Sequence, residues 1–247
     1  MVLICHCYKF IFLKTRKTAG TSVEAALQVL LGDINGEIEE EINERVTHEG
    51  IVGRRMNGVH LADENNKRLR AIQLRHKSTY QNRRHYRRAR VMWYHHKPAA
   101  EVKRDLGDGI WQTYHKISIV RNPWDKVVSL WKWQTKNGAT KLPFKAFVMR
   151  LRFSDDWHIH SIQNRRVCDT YIRFEDIPGG LKRAMDKMGI EEEHQARVLA
   201  ALPHYKDSAP DKTKKDPFAY RSFYDVDSRD HVAEVYKREI RQFGYTF

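Results

Sequence analysis

Tyr8-Lys9-Phe10-Ile11-Phe12-Leu13-Lys14-Thr15-Arg16-Lys17-Thr18-Ala19-Gly20-Thr21-Ser22 joins two kinds of sequence. Up to Leu13 it is aromatic and β-branched, the composition of a buried strand. It then breaks into a short loop carrying Lys17, Gly20, Thr21 and Ser22, and Val23-Glu24-Ala25-Ala26-Leu27 opens a helical pattern directly behind it. Strand, short cationic loop and helix is the arrangement that presents backbone N–H groups and a helix N-terminus to a phosphate-like anion. In such a loop Gly20 allows close backbone approach, Lys17 supplies a point charge, and the Thr21 and Ser22 hydroxyls add donors. A Walker A loop places its Lys after a Gly and directly before Ser or Thr. Here Lys17 precedes Gly20, an order that points away from nucleoside triphosphates and toward another phosphate-bearing donor.

A second stretch repeats the logic. Lys116-Ile117-Ser118-Ile119-Val120 reads as a buried strand and Arg121-Asn122-Pro123-Trp124 breaks it. Residues 125–136 continue as a helix with Val127, Val128, Leu130 and Trp131 on its apolar face. Pro123 suits the helix start, where its missing N–H would be unpaired in any case. Arg121 therefore falls at the carboxyl end of a strand, where open α/β sheets bind ligands. Ser129 lies two turns further on, so it shares an anion with Arg121 only if the ligand lies along that helix.

Lys17-Thr18-Ala19-Gly20-Thr21-Ser22 resembles the 5′-phosphosulfate loop of sulfotransferases that use 3′-phosphoadenosine 5′-phosphosulfate (PAPS). Arg121-Asn122-Pro123-Trp124-Asp125-Lys126-Val127-Val128-Ser129 resembles their 3′-phosphate motif, in which an Arg and a Ser eight residues later hold that phosphate. Further similarity runs through Tyr94-His95-His96-Lys97-Pro98-Ala99-Ala100-Glu101-Val102, Asp169-Thr170-Tyr171-Ile172-Arg173-Phe174-Glu175-Asp176, Tyr220-Arg221-Ser222-Phe223-Tyr224-Asp225 and Phe243-Gly244-Tyr245. These segments follow the order and rough spacing of the Golgi-type carbohydrate sulfotransferases and their bacterial relatives, leaving uncovered only the region 33–90. The resemblance implies a P-loop-like, three-layer α/β/α fold with a central, mostly parallel sheet, PAPS as donor, and the desulfated nucleotide PAP as product. It places Lys17 at the leaving oxygen, Thr18, Ala19, Gly20, Thr21 and Ser22 around the 5′-phosphate, and Arg121 and Ser129 on the 3′-phosphate. Lys214 and Lys215 are similar to the late basic loop that closes over the donor in that family, although two solvated lysines would read the same.

Sulfuryl transfer to a hydroxyl needs a base for the acceptor proton, charge stabilisation at the bridging oxygen, and tight positioning. His96 is the candidate base, because Tyr94-His95-His96 ahead of Ala99-Ala100-Glu101 resembles the segment in which related enzymes hold a histidine near the acceptor. An imidazole titrates near neutrality and is expected to take the proton without a large pKa shift. His95, His60 and His76 are rivals among the thirteen histidines, and Glu24 is a possible carboxylate base. No metal is expected, since the cations and amides of the site carry the charge stabilisation.

At 247 residues the chain can bury one substantial core. A single domain over 1–247 is expected, with about 33–97 a basic insertion contributing to acceptor binding. No apolar run approaches a membrane span, and the opening residues lack the basic start and cleavage site of a signal peptide. The expected location is therefore cytoplasmic, or the Golgi lumen if an N-terminal anchor has been trimmed. Three cysteines make no disulfide framework, in keeping with a reducing compartment. Cys5-His6-Cys7 reads as a strand start rather than a metal site.

The net charge of +14 is met in part by the anionic donor. The excess is concentrated over 67–97, where Tyr80, Tyr86, Trp93 and Tyr94 interleave with Lys and Arg. That mixture fits a solvated insertion, a groove for an acidic or sulfated glycan, or a surface for single-stranded nucleic acid. The glycan is the expected partner, without nucleic acid and without a membrane span. Two other classes compete for the whole chain. A P-loop kinase explains the first loop but leaves Lys17 misplaced, and a nucleic-acid-binding protein explains only 67–97.

Predicted strands are 8–13, 116–120 and 170–174; predicted helices are 22–31, 99–106, 124–136, 144–151, 180–188, 192–201 and 228–242. Residues 33–66 read as a hairpin or loop excursion, and 206–217 as a loop between prolines. The alternation argues for a parallel sheet covered by helices on both faces.

Overall fold

The computed structural model describes residues 2–31, 44–46, 50–53, 94, 96–154, 156–202, 216 and 218–247. The chain opens on an antiparallel hairpin, β1 (Val2–Cys5) and β2 (Phe10–Leu13), with Cys5 opposite Phe10 and Val2 opposite Leu13. All eight residues are buried, so these strands read as unbroken apolar runs rather than alternating ones. Helix α1 (Gly20–Gln28) follows, then a second hairpin, β3 (Glu44–Val46) and β4 (Gly50–Gly53). Helices α2 (Ala99–Leu106) and α3 (Asp108–Thr113) lead into β5 (His115–Val120) and the long helix α4 (Pro123–Lys136). After α5 (Phe144–Val148) come the two-residue strands β6 (Ser161–Ile162) and β7 (Arg165–Arg166), which pair with each other. The series closes with β8 (Thr170–Arg173), α6 (Ile177–Lys187), α7 (Glu192–Ala201), α8 (Val226–Val235) and α9 (Lys237–Phe243).

The main sheet has the order β3-β4-β1-β2-β5-β8. Strands β2, β5 and β8 are parallel neighbours, whereas β1 is antiparallel to both β2 and β4. Four of its six strands, β4, β2, β5 and β8, therefore run in one direction. One face carries Leu3, Cys5, Phe10, Phe12, Ile117, Ile119 and Ile172 against apolar residues of α1, α6 and α7. The opposite face packs Val2, Ile4, Ile11 and Leu13 onto Ala99, Val102 and Trp111 of α2 and α3. A third cluster joins Val120 to α4, α5, α8 and the C-terminal Phe243 and Tyr245. This is the three-layer α/β/α arrangement, with each buried aliphatic strand residue contributing about 1.5–3 kcal/mol of burial.

Several boundaries moved for local reasons. Residues 6–9 form a turn, with Lys9 at φ 49, so β2 starts at Phe10 and β1 is a separate strand. Cys5 ends that strand in the core while Cys7 is exposed on the turn, so the trio is a strand end and a turn. The stretch read as one helix over 228–242 is two helices meeting at Tyr236, and α8 begins earlier because Asp225 and Ser228 cap it reciprocally. The excursion over 33–66 contains the β3–β4 hairpin. Helix α4 begins as its sequence requires: the Asn122 side chain accepts the Trp124 N–H at 3.0 Å and Pro123 takes the first position.

Candidate active site

The carboxyl ends of the neighbouring parallel strands β2 and β5 open into the two loops singled out by sequence. The first is tethered from beneath. The Thr15 hydroxyl donates to the Ile119 carbonyl at 2.5 Å, the Thr18 hydroxyl donates to the Thr15 carbonyl at 3.1 Å, and the Arg16 N–H donates to Asp156 Oδ2 at 3.0 Å. From the second loop, Arg121 Nη1 donates to the Lys17 carbonyl at 2.6 Å. These tethers hold Lys17 and Ala19 in the left-handed region, at φ 57 and 53. For residues with a Cβ that conformation costs about 1–2 kcal/mol each, so the surroundings must impose it.

The loop delivers a helix N-terminus. The Ala19 carbonyl accepts the N–H groups of Ser22 (3.0 Å) and Val23 (3.2 Å), while Gly20 and Thr21 stand in the first turn, where a helix offers their N–H groups no acceptor. Ser22 thus keeps only its hydroxyl for a ligand. Thr18 is buried with its hydroxyl directed inward to Thr15. Thr21 is exposed, and its Oγ1 accepts from Lys14 Nζ at 2.7 Å, so its own O–H remains a donor.

Lys14 is a site residue that the sequence reading passed over. Its buried ammonium pairs with Glu24 at 3.2 Å, and Gln28 donates to the other Glu24 oxygen at 3.1 Å. Glu24 is 0% exposed, which takes it out of reach of an acceptor hydroxyl. Gly20 serves this pair: a Cβ there would lie 2.6 Å from Lys14 Cγ, so the missing side chain makes room for the lysine stem. A lysine ending an apolar strand, with a glutamate one turn into the next helix, was the available signal.

Two cations meet above the loop. Arg121 is held by Asp125 (Nε to Oδ2, 2.7 Å) and stacks 3.8 Å above the Phe174 ring. Lys17 has no carboxylate partner among the described residues; its ammonium lies 5.5 Å from the ring centre of Trp133, which is 48% exposed. Burial, and then the positive charge of Arg121, push the Lys17 pKa down. An ammonium placed where its own charge is disfavoured is suited to receive an anion. Ser129 stands partly exposed on α4, one turn before Trp133 on the same side of that helix.

His96 reaches the carboxyl end of β2 from the segment before α2. It adopts φ 58, and its Nδ1 is 2.9 Å from the Lys14 carbonyl. A carbonyl only accepts, so Nδ1 carries the hydrogen and Nε2 is the basic nitrogen of the neutral ring. Burial lowers the His96 pKa to about 4. The expected titration near neutrality is therefore corrected, because desolvation disfavours the imidazolium.

The structure thus brings Lys17, the 18–22 loop, Arg121 and His96 to one edge of the sheet, with Ser129 on the adjoining helix. His60, His76, His95, Lys214, Lys215 and the basic stretch 67–93 lie outside the described residues. No described helix is long and apolar enough to cross a membrane. No curated protein and no solved structure gives a significant match. The model of the Sulfotransferase family matches residues 1–246, a span that takes in the loops behind β2 and β5, the His96 segment and the C-terminal helices. On that coverage the chain belongs to the sulfotransferase family.

Proposed function

We propose that the protein transfers the sulfuryl group of PAPS to a hydroxyl of a carbohydrate acceptor and releases PAP. The observation that carries this reading is the convergence of Lys17, lacking a carboxylate partner among the described residues, and Arg121 on a helix N-terminus at the carboxyl edge of β2 and β5. The N–H groups of Gly20 and Thr21, with the hydroxyls of Thr21 and Ser22, hold the 5′-phosphate. Arg121 and Ser129 hold the 3′-phosphate. The acceptor oxygen attacks sulfur in line as the bond from sulfur to the bridging oxygen breaks. Lys17 meets the charge that develops on that oxygen, and His96 Nε2 takes the acceptor proton. The single domain, the closing role of Lys214 and Lys215, and an acidic or sulfated glycan as acceptor belong to the same proposal.

Thermal melting tests the donor. PAP without Mg²⁺ should stabilise the protein, by about 2.7 kcal/mol at a hundredfold excess over Kd. Stabilisation by ATP with Mg²⁺ and none by PAP would overturn the assignment. Sulfation assayed across neutral, acidic and sulfated glycans then identifies the acceptor.

A further inference from the structure

Beneath the donor loop lies a buried ion pair that the chemistry above does not use. Asp156 is 1% exposed and pairs with Lys126 of α4, itself 8% exposed. The same carboxylate oxygen, Oδ2, accepts the Arg16 N–H. Lys126 stands on α4 between Arg121 and Ser129, with its ammonium 5.6 Å from the ring centre of Tyr236. Well-packed apolar residues often stabilise a core as well as such a pair does, because desolvating two charges is costly. An apolar pair cannot accept a backbone N–H. The tethers bracket Lys17 in the chain: the Arg16 N–H is held by Asp156, and the Lys17 carbonyl is held by Arg121. Between them lies the left-handed Lys17 backbone.

We propose that Asp156 is a positioning residue for the donor. By fixing the Arg16 backbone it holds Lys17 in the conformation that aims its ammonium at the leaving oxygen. The inference rests on PAPS being the donor, and two neutral replacements of the pair test it. Lys126→Met with Asp156→Asn keeps an acceptor for the Arg16 N–H, whereas Lys126→Met with Asp156→Leu removes it. Calorimetric binding of PAP to the full chain should stay within about threefold of the parent for the first, and weaken about tenfold or more for the second, while the two melt at similar temperatures. Equal affinity in both, or losses that follow melting temperature, would make the pair merely structural and overturn the proposal. Should the leucine version fail to fold, Asp156→Ala with Lys126→Met takes its place under the same criteria. A parent that does not bind PAP overturns the donor assignment itself, and this inference falls with it.

Discussion

On the proposed mechanism, His96 depends on its hydrogen bond to the Lys14 carbonyl and on its burial. The bond puts the hydrogen on Nδ1 and makes Nε2 the basic nitrogen of the neutral ring, while burial lowers the pKa to about 4. Because the folded pKa is depressed, the proton-accepting form is lost only as pH falls through that value. A bound, multiply anionic donor favours the imidazolium and raises the pKa again. The acid limb of kcat/KM for the donor, which reports the free protein, should therefore lie near 4, and the limb of kcat should lie above it. His96→Ala should lose both the limb and roughly 100- to 10,000-fold in turnover. A donor kcat/KM limb at 6.5, or a variant that keeps its limb, would place the base elsewhere. Lys17→Ala makes a separate prediction: turnover should drop about 100-fold or more. Its melting temperature should not fall, since burial and Arg121 both disfavour this ammonium in the folded state. Turnover within a few-fold of the parent would remove Lys17 from the mechanism.

The loops behind β2 and β5 are coupled elements, and that changes what Arg121 should do. If Arg121 only held the 3′-phosphate, as the family resemblance implies, its loss would leave binding of adenosine 5′-phosphosulfate, which lacks that phosphate, untouched. Its hydrogen bond to the Lys17 carbonyl ties it to the first loop as well. Arg121→Ala should therefore weaken adenosine 5′-phosphosulfate a few-fold. It should weaken PAP further, by the roughly 1.5–3 kcal/mol of a charge-assisted contact to the 3′-phosphate. Equal losses for the two nucleotides would make Arg121 purely structural. The strand–loop–helix frame of both loops was legible because β2 is an unbroken apolar run and β5 carries Ile117, Ile119 and Val120, while Gly20 and Pro123 stand at the starts of the helices that follow. The tethers were not legible. Asp156 is 140 residues from Arg16 in sequence, and a contact of that range leaves no local pattern. The β1–β2 hairpin was missed because its four-residue turn carries no Gly, Pro, Asn or Asp to announce it.

Across the whole molecule, several titratable groups lie too deep to keep their ordinary protonation, and this sets how the fold responds to acid. His160 is 1% exposed, and burial lowers its pKa to about 4, as it does for His96. In the unfolded chain both titrate near 6.5. Between those values the unfolded state binds protons that the folded state refuses, so stability is present above about 6.5 and is lost as pH falls toward 4. Each histidine contributes a slope of about 1.4 kcal/mol per pH unit across the middle of that window. Burial of Glu239 raises its pKa and acts in the opposite direction, favouring the folded state in acid. Asp156 joins the loss only at lower pH: burial pushes its pKa up, but Lys126 and Arg16 outweigh that and hold it below the usual carboxylate value. Urea midpoints should therefore fall steadily between pH 6.5 and 4.5. His160→Gln, whatever its effect at pH 7, should flatten that fall by one histidine's share while leaving the acid limb of catalysis in place. An unchanged slope in His160→Gln would mean that the buried imidazole is not what acid attacks. A slope and a catalytic limb that vanish together would show that the limb reports unfolding rather than His96.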